Sequence, residues 1–285
     1  MKMTWVTLIS ALVQGVTEFF PISSSGHLSI LKHIFNIKSN NDFFLVTALH
    51  VGALGAIIAT YKRVIVLTFS VAAGLVFRTR KTNPHREKSQ FSYYERLLIL
   101  LTISSSPLIF TAILQNYYKQ VIMLNNMLIL GVGFLATSMV MWFANRKKSG
   151  HKCAVDMKFR DAFLIGLAQA LIAPLPGISR SGITIAIGLL LGLSSKFCIM
   201  YSFLAEIPVI IGAAACSFKS NFATIDLENI FWTTVGIIIS AILGYFCLNK
   251  LEQIVIKKKF YLFAYYTMVI SVFVLGFGIY EYFAF

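Results

Sequence analysis

Six stretches of this chain, 43–61, 97–114, 127–144, 197–217, 231–249 and 262–283, are each apolar over a length close to the ~20 residues that span a bilayer. A soluble core has no use for so many. Hydrophobic residues make up 58% of the chain and charged ones 13%, against roughly a quarter charged in a soluble domain. The sequence therefore describes an all-α integral membrane protein, a single domain over 1–285 rather than the soluble domains that its length alone suggests. Lys2, an apolar stretch and small serines imitate a cleaved leader, but Gln14 and Glu18 interrupt that stretch and no A-x-A-like site follows. Cys153, Cys198, Cys216 and Cys247 are scattered, three of them in apolar spans. Neither a disulfide framework nor zinc spacing is visible, so they read as packing residues.

The net charge of +14 raises the question of a nucleic-acid partner. Its distribution answers no. Residues 62–96 carry eight Lys/Arg, 145–160 carry six, and 250–260 carry four, whereas 115–126 and 218–230 carry one each. That alternation is the positive-inside bias of a multi-pass protein, without the interleaved aromatics of a nucleic-acid stripe. Threading the spans through it makes 145–160 cytoplasmic. It forces 160–195 to begin and end on the cytoplasmic side and 1–42 to begin and end outside. Both segments therefore read as re-entrant helical hairpins, giving six transmembrane helices plus two hairpins. The apolar segment 64–77, between Arg63 and Arg78, reads as an interfacial segment or a helix extension.

The two hairpins resemble each other. The first contains "QGVTEFFPISSSG", Gln14–Gly26, and the second "QALIAPLPGISRSG", Gln169–Gly182. Gln14 matches Gln169 and Pro21 matches Pro176. After one inserted residue, Ser23, Ser25 and Gly26 match Ser179, Ser181 and Gly182. Three spans follow each hairpin, so the second copy (about 158–285) is inverted relative to the first (about 1–145). Inverted repeats with discontinuous helices place irregular backbone at mid-membrane, facing a cavity. Two hairpins entering from opposite faces should meet there.

What meets is chemically rich. Gln14 and Glu18 share a helical face with Ser10 and Thr17. Pro21 ends that helix. Ser23, Ser24, Ser25 and Gly26 then offer hydroxyls and free amides at a helix start, where the dipole favours phosphate, and His27 follows. From the other hairpin come Ser179, Arg180, Ser181 and Gly182, with Thr184 one turn on. Arginine at the bilayer centre costs ~2.5–3.5 kcal/mol on insertion scales and needs an anion, either Glu18 or a ligand. Each piece has a blander reading: a structural Glu18–Arg180 pair, serines that only cap, a satisfied buried histidine. Together they describe a phosphate site in a membrane.

These residues also carry a resemblance. "QGVTEFFPISSSGH" and "PGISRSG", with this span pattern, closely resemble the bacterial undecaprenyl-diphosphate phosphatases of the bacitracin-resistance type, over nearly the whole chain. The resemblance implies removal of the terminal phosphate of a C55 isoprenyl diphosphate, recycling a lipid carrier for cell-wall polymer synthesis in a bacterial inner (plasma) membrane. It also implies stimulation by a divalent cation, Mg2+ or Ca2+. Gln14 is a permitted departure from the family's two-carboxylate motif and leaves the metal site one charge poorer. On this reading Arg180 and the helix-start amides bind the diphosphate, and Glu18 with Gln14 holds the cation. Ser24, singled out by the resemblance, attacks phosphorus or positions the attacking water. His27 is the acid/base, its pKa lying near working pH, while Ser179, Ser181 and Thr184 donate to phosphate.

The phosphatidic-acid phosphatase class also has Ser-Gly-His and Ser-Arg pieces, but it needs a histidine six residues past that arginine. Ala186 stands there, and no histidine follows His151. His50 and Glu206, 156 residues apart at matching places in the two repeats, are ionisable groups in spans and hence functional candidates. They are kept outside the catalytic set. A polyprenyl-phosphate flippase is the rival reading, since transporters share inverted repeats and midplane sites. A carrier has no need of a nucleophile, a base and a phosphate clamp. The termini and the site opening are expected on the periplasmic side, and a homodimer is compatible with the sequence.

Overall fold

Helix breakers and caps cut the apolar chain into its elements. The computed structural model describes residues 2–36, 42–76, 88–113, 126–147, 150–171, 175–221 and 227–284. Part of the basic segment 62–96, including Arg78 and Arg80, lies outside these residues, as do Lys148, residues 172–174, nearly all of 115–126 and residues 222–226 of the segment 218–230. The described helices, in chain order, are α1 Lys2–Thr17, α2 Ser24–Ile34, α3 Asp42–Val76, α4 Lys88–Ser105, α5 Leu108–Ile113, α6 Met127–Arg146, α7 Phe159–Leu171, α8 Arg180–Leu190, α9 Ser195–Asn221, α10 Leu227–Ile256 and α11 Tyr261–Ala284. Among the described residues the only extended pairing outside these helices is an isolated bridge between Lys152 and Leu193.

Five helical segments are long and apolar enough to cross a membrane: Phe44–Leu75, Met127–Arg146, Ser195–Ser217, Ile230–Ile256 and Tyr261–Ala284. The chain is a multi-pass helical membrane protein. Two sequence-based boundaries change. The segment 64–77 continues α3 past a kink at Tyr61 (φ −108°, ψ 20°), so it is the helix extension. The stretch 97–114, expected as one span, is broken between α4 and α5. Pro107 has no amide to donate and its ring clashes with the preceding turn. Just before it, the hydroxyls of Ser104, Ser105 and Ser106 bond back to the carbonyls of Leu101 and Ile103, which competes with helix propagation.

The two elements that follow the serine motifs are short. α2 and α8 have 11 residues each, about 16 Å at 1.5 Å per residue, near half of a ~30 Å hydrocarbon core. α8 packs against α6 and α9, and α2 packs on α1 and reaches α6 and α11 through His27 and His33. α3 and α1 lie against α10, and α6 lies against both α8 and α11. The α6–α11 seam is stitched by Ser138 Oγ donating to Ala264 O and Ser271 Oγ donating to Gly131 O, each at 2.8 Å. Small residues and interhelical hydroxyl bonds are what hold helices together where lipid removes the hydrophobic drive. The turn before α8 is seated on α6 by backbone contact: a Cβ on Gly133 would lie 2.1 Å from Pro176 O.

Candidate active site

Both serine motifs start a helix with the same capping bond. Ser23 caps α2, its Oγ accepting from Gly26 N at 3.2 Å. Ser179 caps α8, its Oγ accepting from Gly182 N at 3.1 Å. Each is a serine N-cap bonding the third helical amide. Ser179 is further fixed by its own amide, which donates to Thr137 Oγ1 at 3.0 Å. Ser23 is strained, with φ 70° and ψ 93°, a conformation that costs a non-glycine residue on the order of 1–3 kcal/mol and clusters at functional sites. Ile22 N bonds Phe20 O at 2.7 Å, and Phe19 and Ile22 beside it are buried, so surrounding packing holds the turn.

The two motifs meet. A Cβ on Gly182 would stand 3.2 Å from Pro21 Cβ, and Ser181 Oγ donates to the Glu18 carbonyl at 3.4 Å. Between them lies a cavity of about 200 Å³, far above the ~10–15 Å³ that a single water needs. Of the expected residues, Glu18, Ser23, Ser24, Ser25, Ser179, Arg180 and Ser181 line it, together with His50.

Glu18 is the hub. Its Oε2 accepts from Ser24 Oγ at 2.6 Å and from Gln14 Nε2 at 2.7 Å, and His50 Nε2 stands 3.4 Å from the same oxygen. Arg180 NH2 approaches Oε1 at 3.9 Å. The spacing i, i+4 puts Gln14 over Glu18; the turn at Pro21 then returns Ser24 to the same carboxylate. Glu18 is 6% exposed, and a buried carboxylate persists only when it is paired and hydrogen-bonded, as here.

Other expected residues sit around the cavity without lining it. His27 lies beside α2's cap with Nδ1 2.8 Å from Ser23 O and Nε2 2.8 Å from Tyr266 OH. Its ring stacks on Tyr266 and meets Phe134 edge-on. Thr184 spends its hydroxyl on Arg180 O, Ser181 O and Ser202 Oγ. Gly26 and Gly182 serve through their amides, both taken by the caps. Gln14 is wholly buried behind Glu18.

The chain matches the family model described as bacitracin resistance protein BacA over residues 7–273. This chain belongs to the BacA family. It is 36% identical over 269 residues to the undecaprenyl-diphosphatase of Desulfosudis oleivorans, covering 93% of this chain and 94% of that one. It is 31% identical over 288 residues to the undecaprenyl-diphosphatase of Alkaliphilus metalliredigens, covering 97% and 99%. With the protein of that name from Methanosphaera stadtmanae it shares 34% over 268 residues, covering 93% and 94%.

In this BacA-family chain the site holds two ionisable residues left outside the expected catalytic set. His50 lines the cavity, its Nδ1 bonded to Val46 O at 2.7 Å so that Nε2 faces Glu18. Glu206 contacts Arg180. The signal was present in the sequence as two ionisable groups inside apolar spans, but their partners depend on the fold. His50 faces Glu18, while Glu206 contacts Arg180 and also lies within hydrogen-bonding reach of the Glu18 carboxylate.

Among the described residues no three His, Cys, Asp or Glu side chains gather as a metal cluster. The donor chemistry nonetheless suits a hard cation. Gln14 Oε1 is a buried oxygen with no hydrogen-bond partner; the Gln14 amide and the Ser24 hydroxyl both reach the Glu18 carboxylate, and these groups offer the all-oxygen ligand type of Mg2+ and Ca2+. The residues present fit such an ion.

Proposed function

We propose that this chain hydrolyses undecaprenyl diphosphate to undecaprenyl phosphate and inorganic phosphate, at the cavity where the two serine-capped motifs meet. The observation that carries the reading is Ser24 Oγ donating to Glu18 Oε2 at 2.6 Å. A hydroxyl bonded to a buried carboxylate, facing an arginine across a cavity, is a nucleophile, base and clamp. A carrier needs only the clamp.

The steps follow from the positions. The terminal phosphoryl group lies between Ser24 and Arg180, whose guanidinium balances charge on the equatorial oxygens. Ser24 Oγ bonds to phosphorus, the bridging P–O bond breaks, and the monophosphate lipid leaves. The hydroxyl proton passes to Glu18. Water then attacks the seryl phosphate, the Oγ–P bond breaks, and Glu18 returns its proton to Ser24. Ser179 and Ser181 line the same cavity and orient the phosphate by hydrogen bonds. His50, lining the same cavity, holds Glu18 through Nε2. Glu18 and Gln14 would hold a divalent cation such as Mg2+ or Ca2+, which when bound would help to neutralise phosphate charge.

The same reading makes α1–α2 and α7–α8 the re-entrant hairpins of an inverted repeat within one membrane domain. The short lengths of α2 and α8 support it, as does the matching of their caps. The distribution of basic residues supports an opening of the first hairpin towards the periplasmic side of an inner membrane. Such an enzyme recycles the lipid carrier of cell-wall polymers, and the family's name ties that activity to bacitracin resistance.

The test is phosphate release from undecaprenyl diphosphate by detergent-purified protein. Wild type is compared with Glu18→Gln and Arg180→Ala. Loss of a general base costs ~10²–10⁴-fold, so Glu18→Gln should fall by at least about 10²-fold. Wild type that binds polyprenyl phosphate but releases no phosphate would favour the carrier.

A further inference from the structure

Glu206 has no part in the steps above, yet it is only 4% exposed and its Oε1 lies 3.0 Å from Arg180 NH1. Helical spacing delivers it. Ser202 and Glu206 are four apart on α9, and Arg180 and Thr184 are four apart on α8, so each pair shares a face. The faces meet rung by rung: Glu206 with Arg180, and Ser202 Oγ with Thr184 Oγ1 at 2.5 Å. A third element fixes the same turn of α9, since Gln169 Nε2 donates to Ala205 O at 3.2 Å. The carboxylate is thus on a rigid mount at the first turn of α8.

The arginine's exposure shows which edge is committed. Its NH1 is buried and makes no aligned hydrogen bond, so the attraction to Glu206 is the contact of an ion pair. The side chain as a whole is 24% exposed. That exposure belongs to atoms other than NH1, while NH2 points towards Glu18 at 3.9 Å. One edge of the guanidinium is held by Glu206 and the other is presented to the site. An arginine side chain carries ~2 kcal/mol of rotamer entropy, which an unrestrained residue loses only when the phosphate arrives.

We propose that Glu206 is the positioning residue for Arg180, ordering the guanidinium before substrate binds so that its free edge meets the phosphoryl group. This rests on the phosphatase reading. The competing role is structural: the pair merely joins α8 to α9. In that case its removal lowers stability and leaves turnover per folded molecule alone.

The experiment measures kcat and KM for undecaprenyl diphosphate with the full chain in detergent, normalised to the monodisperse fraction, alongside thermal midpoints. Glu206→Gln keeps an oxygen at the same reach and should hold kcat within about threefold. Glu206→Ala frees the guanidinium, and a misplacement of ~1 Å costs ~10²-fold, so kcat should fall about 10- to 100-fold with the larger change in kcat rather than KM. Glu206→Asp, one methylene shorter, should lie between them and stands in should the alanine variant not fold. An active wild type with equally active Glu206→Ala or Glu206→Asp overturns this proposal alone. A wild type that releases no phosphate overturns the phosphatase reading and this proposal with it.

Discussion

Substituting Gly177 by alanine isolates the seat of the second motif from its chemistry. Gly177 has φ +80°, and a Cβ there would lie 2.2 Å from Leu130 O, a backbone atom of α6. Two costs add. A non-glycine residue in the left-handed region costs ~1–2 kcal/mol, and forcing a methyl into packed backbone costs typically ~1–3 kcal/mol. The sum is about 2–5 kcal/mol. At ~2–4 °C per kcal/mol for a domain of this order of size, the thermal midpoint should drop by roughly 4–20 °C. Turnover should fall too, because the carbonyl of Gly177 and the amide of Ser179 share the Thr137 hydroxyl, and moving the turn moves α8's cap. Gly276→Ala on α11 is the control: nothing lies within 4 Å of its added Cβ, and replacing a mid-helix glycine by alanine gains ~0.5–1 kcal/mol. The assay is a thermal melt in detergent, followed by phosphate release from the surviving fraction. A Gly177→Ala protein melting within about 2 °C of wild type, a shift worth under ~1 kcal/mol, and fully active would refute the argument that this backbone contact seats the motif.

Four further outcomes follow. Arg96 donates to Ala154 O and Met157 O, both at 2.9 Å, bonds worth about 1.5–3 kcal/mol each when the donor is charged; Arg96→Ala should lower the melting midpoint while kcat per folded molecule stays at wild-type level. A Cβ on Gly26 would meet Phe134 Cζ at 2.5 Å and Ser23 Oγ at 2.9 Å, so Gly26→Ala should disturb the cap and reduce kcat by more than about tenfold, the order of loss expected from misplacing catalytic groups. Chelation with EDTA should slow phosphate release reversibly. Gln14→Glu, which adds a charge at the orphaned Oε1, should lower the Mg2+ concentration giving half-maximal rate, read by metal titration.

Much of this was legible in the sequence because it depends on local rules. Apolar length gives the membrane helices, and the same N-cap chemistry at Ser23 and Ser179 marks both short helices. Their convergence on Glu18 and Arg180 was read from charge topology, and the cavity unites those residues. The failures have a common cause. Pro107 and three serines break a stretch whose apolarity alone reads as one span. His27 follows the serines closely in sequence, yet its ring turns to Tyr266, 239 residues away. Side-chain direction at a helix start is set by what packs there, and sequence proximity does not encode it. Thr184 is likewise diverted to Ser202 on α9. His50 and Glu206 announce themselves only as ionisable groups in apolar helices; the partners that give them meaning lie on other elements.

The most direct test of the central claim is phosphate release by Ser24→Ala, with Ser23→Ala and Ser25→Ala beside it. All three serines line the cavity, but among the described contacts only Ser24 bonds the Glu18 carboxylate. The account predicts that Ser24→Ala, still folded and monodisperse, loses at least about 10³-fold in kcat, as removal of a nucleophile does, while Ser25→Ala keeps most of its rate. Ser24→Ala turning over at near wild-type rate would contradict the serine–glutamate mechanism.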